Sequence, residues 1–331
     1  MLAIIATVLN EGESIRGLMD SILAQTRPPD EIIFVDGGSR DHTVQILESY
    51  ANRLPLKVLI HAGANISEGR NHAIRAAQAD IIAITDAGVI LSPNWLESLA
   101  QPFANPQIEV VCGFFHADAR TVFEVALGAT TLPLVEEIDP ATFLPSSRSV
   151  AVRKRAWEAV DGYPEWLDFC EDLIFDLRLK ARGNPFAFQG DAVAHFRPRK
   201  SLRAFFKQYY LYARGDGKAD LWRKRHLIRY LTYGVAIPFI FWLGVQFHPL
   251  LWGLFIPSGA VYLGQPYRRL NAVFALAQPQ VPATWSNRIQ AMLWIPIIRV
   301  AGDIAKMIGY PVGWRWRLQH RPPDWRRIEK I

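Results

Sequence analysis

Four short stretches of the sequence combine carboxylates, an arginine and turn residues in a spacing suited to a phosphate-bearing, hydroxyl-rich ligand. They are TVLNEGESI (7–15), VDGGSRDHT (35–43), SEGRNHAI (67–74) and IIAITDAG (81–88). Asp36 can accept a hydrogen bond from a base N–H or a ribose hydroxyl. Arg70 can pair with phosphate or base, and Asp86 can hold a ribose or a divalent cation. The plainer alternative is that Asp36 and Asp41 cap turns and helices, where Asp, Gly and Ser are favoured for local reasons. Further along, Glu171-Asp172 opens an amphipathic stretch. A carboxylate there can act as a general base, although the helix dipole favours acids at a first turn whatever their role. Ser147, Arg148 and Ser149 form a polar segment ahead of an apolar run and suit an acceptor or phosphate contact, or simply a turn. His195 follows a strand-like Ala-Val-Ala and is either structural or a ligand that would favour Mn²⁺ over Mg²⁺.

These residues need elements to hold them. Apolar runs at 2–9, 31–35, 56–61 and 81–85 read as strands, and 15–23, 41–50 and 68–79 as helices. Such alternation at short spacing predicts an α/β fold, with a parallel sheet covered on both faces and polar residues at successive strand ends. Ligands bind at that edge of an open α/β sheet. A further strand is expected at 110–115. Prolines 133, 140 and 145 break the following section, whose middle, 122–134, is a helix able to cover the site. In the stretch 166–179, Leu173, Phe175 and Leu177 supply an apolar face, and Asp176 is expected to pair with Lys180 one turn on. Residues 201–216 predict an amphipathic helix ending in a loop at Gly215-Asp216-Gly217.

In this order and spacing, the four motifs resemble the nucleotide-binding half of family 2 glycosyltransferases with the GT-A fold. The resemblance covers roughly the first 215 residues. It implies a nucleotide-sugar site formed by Thr7, Asn10, Glu11, Asp36, Arg70 and Asp86, with Arg214, in a lid region, neutralising the leaving diphosphate. It implies Asp172 as the base that takes the acceptor's proton and Glu171 as its positioning partner, with Ser147, Arg148 and Ser149 facing the acceptor. It also implies a divalent cation, Mg²⁺ or Mn²⁺, on Asp86 and His195. The chain departs from the family at Gly37 and at Gly88, which stands where the last Asp of Asp-x-Asp is usual. Asp86 is then left to hold a cation with help from elsewhere.

The net charge of +6 hides an asymmetry. Up to Phe196 the chain has 15 Lys+Arg against 26 Asp+Glu; beyond it, 22 against 5. An acidic soluble part joined to a basic part that meets an anionic surface is the expectation. Residues 231–264 carry no Asp, Glu, Lys or Arg and are punctuated by Pro238, Pro249 and Pro257. Two helices in this run would each span only about 22 to 26 Å, short of the ~30 Å hydrocarbon core, which predicts a thin, tilted or re-entrant hairpin. Basic flanks at both ends put both on the cytoplasmic side. Residues 289–308 read as an interfacial helix, and Trp314, Trp316 and Trp325 among Arg315, Arg317, Arg326 and Arg327 as a headgroup anchor.

The expected organisation is a catalytic domain over 1–220, divided near 115, and a membrane-associated helical region over 221–331. Its expected partners are a nucleotide-diphosphate sugar, a lipid-linked or saccharide acceptor, and membrane phospholipid. The two cysteines, Cys112 and Cys170, point to a reducing compartment, and the apolar amino terminus reads as a first strand rather than a signal peptide. Nucleic-acid binding is disfavoured because the basic and aromatic residues interleave with runs too apolar for an exposed face. Nucleotidyl transfer is disfavoured by the lack of a Gly-rich phosphate loop. A non-catalytic sugar-nucleotide-binding partner is the rival reading.

Overall fold

The computed structural model describes residues 1–326. The chain forms two compact units, the first built from 1–116 and 135–196 and the second from 117–134 and 197–322. In chain order the first carries β1 (Leu2–Val8), α1 (Ile15–Leu23), β2 (Glu31–Asp36), α2 (Thr43–Glu48), β3 (Leu56–Ile60), α3 (Ile66–Ala76), β4 (Ile81–Ile84), β5 (Val89–Leu91) and α4 (Trp95–Ala100). β6 (Val110–Ala117) follows. After α5 (Val122–Thr131), a helix of the second unit, come β7 (Val150–Arg153), α6 (Lys154–Ala159), α7 (Glu171–Ala181) and β8 (Phe186–Phe196).

The eight strands form one sheet in the order β3-β2-β1-β4-β7-β6-β8-β5. The first four are parallel, as the alternation of elements requires. The sheet is mixed beyond β4, because β7 runs antiparallel to both β4 and β6, and β5 antiparallel to β8. Side chains alternate across a strand, and β1 shows the consequence. Leu2, Ile4, Ala6 and Val8 join one core with α1, α2 and α4, while Ala3 and Ile5 join the other with α3, α6 and α7. Both faces are dry, which explains why the parallel strands read as unbroken apolar runs.

The second unit is helical: α5, then α8 (Leu202–Ala219), α9 (Arg223–Leu231), α10 (Ile237–Gln246), α11 (Phe255–Leu276) and α12 (Trp285–His320). Val125, Ala126, Ala129, Phe205, Val273, Phe274, Ile295 and Ile298 share its core. α5 is therefore a core helix of this unit, not a free cover. Nor does α8 stop at Gly215 to Gly217. A Cβ at Gly217 would lie 2.3 Å from the Tyr310 carbonyl, and one at Gly313 1.9 Å from that of Arg214. These glycines let two helix backbones touch, and a close approach rather than a turn is what requires them.

α9, a five-residue π-helical segment over 232–236 and α10 make one continuous run, Arg223–Gln246. The wide turn lies just ahead of Pro238, whose ring and missing N–H disturb the preceding helical turn. Residues 289–308 are the middle of α12. Ala291, Ile295, Ile298, Gly302 and Ala305 are buried on one side of it, and Ile289, Leu293, Ile297, Val300, Ile304 and Ile308 are exposed on the other. Arg327 of the expected headgroup anchor lies outside the described residues.

Candidate active site

The parallel strands deliver their polar ends to one edge of the sheet. Asn65 caps α3 through a reciprocal box: its side chain accepts from the Glu68 amide at 3.0 Å while the Glu68 carboxylate accepts from the Asn65 amide at 2.8 Å. The helix enters tightly against β1, since a Cβ at Gly69 would lie 2.6 Å from Thr7 Cγ2. Thr7, Glu11, Gly37, Asn65 and Gly69 line a cleft of about 290 Å³ here. Asp36 stands beside it but is buried, and its carboxylate accepts from the Gly38 and Ser39 amides at 2.8 Å each and from the Ser39 hydroxyl. Asn10, with a left-handed φ of 55°, accepts from the Arg40 amide at 2.9 Å. Glu11 accepts from the Ser14 hydroxyl at 2.9 Å. Loop order is what these polar groups hold in the free chain.

Arg70 is the centre of the cluster. Its guanidinium donates to Glu171 Oε1 at 2.7 Å and to Asp86 Oδ1 at 2.8 Å, and lies 5.2 Å above the Tyr163 ring. Burial works against its charge, but Asp86 and Glu171 outweigh that and raise its pKa. Burial pushes the Glu171 carboxyl up to about 7, helped by the charge of Asp172 and opposed by Arg70. Thus the strand end at Asp86 and the first turn of α7 are joined through one side chain. Cys170, just before α7, takes a left-handed φ of 67°, a strained setting that fixes the angle at which the acidic pair enters the helix.

Asp172 is half-buried, with its own carboxylate accepting from the Leu173 amide at 2.8 Å. The buried face of α7 is Ile174, Phe175 and Leu179, not Leu173 and Leu177, which are only partly covered. Asp176 is also on the buried side, and the expected pair with Lys180 does not form: Lys180 donates to the Ala141 carbonyl at 2.8 Å instead. Asp176 Oδ2 is buried with no hydrogen-bond partner. Burial, followed by the charge of Asp172, pushes this carboxyl well above the usual range.

The segment 146–149 splits. Arg148 faces Asp86, its Nε 3.5 Å from Oδ2, with its guanidinium 4.5 Å from the Phe196 ring centre. Ser147 lies 3.2 Å from the Tyr163 hydroxyl, in the wall behind Arg70. Ser149 points into the core instead of an acceptor cleft. Its hydroxyl accepts from the Trp95 indole at 2.8 Å and donates to the Ala192 carbonyl at 2.7 Å. Sequence reasoning missed the lock behind this wall. Asn71 accepts from the Trp157 indole and the Tyr163 amide, and donates to the Tyr163 carbonyl and the Glu165 carboxylate, at 2.9 to 3.0 Å. Gly162 must be glycine there: its φ is +64°, and a Cβ would sit 2.6 Å from Asn71 Oδ1. The signal available was Asn71 itself, adjacent to Arg70 on α3.

The donor set fits a resident cation poorly. Asp86 is 29% exposed, and both its oxygens already face guanidinium groups. Gly88 adds no oxygen; a Cβ there would meet nothing within 4 Å. His195 has Nε2 at 3.2 Å from the Ser92 hydroxyl and its ring 5.9 Å from that of His116. Since Phe196 is the residue against Arg148, strand alternation turns His195 to the opposite face. Among the described residues, no group of three or more His, Cys, Asp or Glu side chains is arranged to hold a metal. Arg214 belongs to the second unit, on α8 where it packs against α12.

An open sheet with a parallel amino-terminal half and an acid–arginine cluster at its carboxyl edge defines a GT-A-type nucleotide-sugar fold. The family model for "Glycosyl transferase family 2" matches residues 3–147. Among curated relatives, the O-antigen chain rhamnosyltransferase RfbN of Salmonella typhimurium is 25% identical over 225 residues, 63% of this chain and 70% of the relative. WbaN of Salmonella anatum, also an O-antigen chain rhamnosyltransferase, is 26% identical over 55% of this chain and 62% of its own. Among solved structures, the mannosyltransferase PcManGT of Pyrobaculum calidifontis, in complex with GDP-Man and Mn²⁺, superposes with a TM-score of 0.55. It is 17% identical and matches 97% of this chain and 87% of its own, a likeness of fold. Over residues 3–147, then, the chain resembles family 2 glycosyltransferases.

Proposed function

We propose that the chain transfers a sugar from a nucleotide-diphosphate sugar to a lipid-linked or membrane-proximal saccharide, working at the cytoplasmic face of a membrane. The observation that carries the reading is the Arg70 bridge. It ties Asp86, where a donor's ribose would lie, to Glu171, the neighbour of a half-buried carboxylate able to take a proton. In this reading Asp172 removes the acceptor hydroxyl's proton, and the oxygen attacks the anomeric carbon from the side opposite the leaving group. The bond to the diphosphate then breaks with inversion. Glu171, fixed by Arg70, holds the start of α7 in place. Arg148, partly exposed and cushioned on Phe196, meets the charge that grows on the leaving diphosphate. A divalent cation, which accompanies the donor in the mannosyltransferase complex, is given no step here because the residues around Asp86 do not suit one. The rhamnosyltransferase relatives make a deoxyhexose donor and an envelope-polysaccharide acceptor the first to try.

Membrane attachment is supported by the helix Arg223–Gln246, 24 residues long with almost none of its most apolar stretch buried, and by the apolar outer face of α12. The decisive experiment is Asp172→Asn in full-length protein in detergent, with donors screened by mass spectrometry. Removing a general base costs 10²- to 10⁴-fold in rate. Sugar transfer should fall by at least about 10²-fold while nucleotide affinity stays within error of wild type. Near wild-type transfer by the folded variant refutes Asp172 as base. A wild-type chain that binds donor without turnover favours the non-catalytic sugar-nucleotide partner instead.

A further inference from the structure

The charge-free run folds into a hairpin whose depth can be measured from its own bonds. At its base Asp303 Oδ1 accepts from Arg229 Nε at 2.7 Å, and Oδ2 accepts from the Tyr262 hydroxyl at 2.6 Å and the Tyr233 hydroxyl at 3.2 Å. The two tyrosine hydroxyls are 2.8 Å apart, so positions 233 and 262 stand at the same level on the two arms. From that level the first arm rises about 13 residues to Gln246, and the return arm is about seven α-helical residues plus the six-residue 3-10 segment, so each side reaches only about 20 Å. A hydrocarbon core is ~30 Å thick.

The turn itself is built for a dry surrounding. Residues 249–254 are 3-10 helical, and His248 caps them by accepting from the Leu250 amide at 3.2 Å through Nδ1. The Trp252 indole donates to the Phe241 carbonyl at 3.1 Å, in space opened by Gly244, where a Cβ would lie 2.0 Å from the indole nitrogen. Ser258 donates to the Leu254 carbonyl at 2.8 Å. Unsatisfied backbone is costly in hydrocarbon, and these bonds satisfy part of the turn's polar groups from within the hairpin. Meanwhile Phe247, Leu250 and Ile256 are 69%, 81% and 76% exposed at the tip. Measured from the Asp303 cluster the arms fall about 10 Å short of the far headgroups, so the continuous helix Arg223–Gln246 could span only by drawing Arg229 and Asp303 into hydrocarbon. Exposed Arg223, Lys224, Arg225 and Arg268 at the base suit anionic headgroups on the near side.

Building on the membrane reading above, we infer that residues 233–262 enter one leaflet and turn back inside the hydrocarbon, leaving both ends of the hairpin on the same face. The occupant of the apolar tip is acyl chain. The test uses full-length protein with Leu250→Cys or Lys224→Cys, reconstituted in vesicles of phosphatidylethanolamine and phosphatidylglycerol, with labelling corrected for the unsubstituted chain. Position 224 should react with an impermeant maleimide on one side. Position 250 should react from neither side, and a fluorophore placed there before reconstitution should be quenched by lipids carrying a mid-chain quencher. Labelling of position 250 from the side opposite 224 overturns the one-leaflet hairpin in favour of a span. Labelling from the same side shows that the tip stays in water or against a protein, which overturns it equally. A chain that fails to float with the vesicles sinks the membrane reading and this inference together. Leu250→Arg should cut vesicle partitioning at least about tenfold, the order expected for an arginine in hydrocarbon. Its unfolding temperature in detergent should match wild type, because Leu250 packs against little else; partitioning unchanged from wild type overturns the inference.

Discussion

Arg70 shows how one buried cation can specify a site. Truncating one partner of a buried, hydrogen-bonded ion pair leaves an uncompensated charge and costs about 3 to 5 kcal/mol. Arg70→Met should therefore destabilise the first unit by that order, read by denaturant unfolding, whereas Glu171→Gln, which keeps the hydrogen bond, should cost clearly less. Asp176 gives a test with a sign. Its folded pKa is raised by burial above the unfolded value, so the fold binds the proton more tightly than the open chain. That contribution is present at low pH and is lost as pH rises from near 4 through the folded pKa. Asp176→Asn removes the titration, so its melting temperature relative to wild type should climb with pH. A constant offset from pH 5 to about 8 would show that Asp176 is not protonated in the fold. Gly88 supplies a third test. Nothing stands where its side chain would be, so Gly88→Asp fits and adds an oxygen ligand beside Asp86. Turnover of the variant should become stimulated by Mn²⁺ or Mg²⁺, while wild type should keep most of its rate in excess chelator. Complete loss of wild-type turnover on chelation would return a cation to Asp86. Asp86, Glu171 and Arg70 were legible because each sits at a strand end or near a helix start, whereas Asp176, inside α7, was expected to pair with Lys180 and its burial was not readable. Ser149 misled because a polar triplet before a strand does not say which member turns inward.

At the scale of elements, the parallel strands were read within a residue or two, since burial on both faces leaves an apolar run that nothing else of that length explains. β5 was missed. Three residues give no period, and its identity as a strand comes from pairing with β8 more than 100 residues away. α8 was read as ending at its glycines because a glycine pair usually punctuates a helix, and only the α12 backbone lying against it reveals the other use. That contact yields a paired prediction. Gly313→Ala drives a methyl into the Arg214 carbonyl and should destabilise the second unit by about 1 to 3 kcal/mol, the usual cost of overpacking. Gly259→Ala, where a Cβ meets nothing within 4 Å, should be neutral or slightly stabilising, since helical alanine is favoured over glycine. Thermal unfolding in detergent compares the two directly. Equal effects would mean that α8 and α12 separate easily in solution.

For the molecule as a whole, the charge division at Phe196 in the sequence corresponds to a real change of unit, but not to a clean cut. The segment 117–134 lies far upstream of Phe196 and still folds with the carboxyl-terminal helices. No local pattern announces this, because an apolar helix reads the same whether its core lies nearby or 150 residues away. The attachment to membrane should respond to solvent accordingly. At about 1 M salt the Debye length is near 3 Å, so a surface held by charge alone comes off, while burial of apolar surface persists. Full-length protein should stay with membranes in such salt and leave them only in detergent. A cut at residue 220 makes the sharper case. It keeps α5 and α8 but removes α11 and α12, which cover Val125, Ala126, Ala129 and Phe205. Fully burying one such large side chain stabilises by roughly 1.5 to 3 kcal/mol, so exposing several together exceeds what most domains can lose. The 1–220 fragment should escape the membrane fraction only as aggregate, whereas a chain ending at 322, with α12 intact, should behave as full length. Size-exclusion chromatography with circular dichroism distinguishes them. A monodisperse 1–220 fragment with a cooperative unfolding transition would show that α5 and α8 do not need the tail to stay folded.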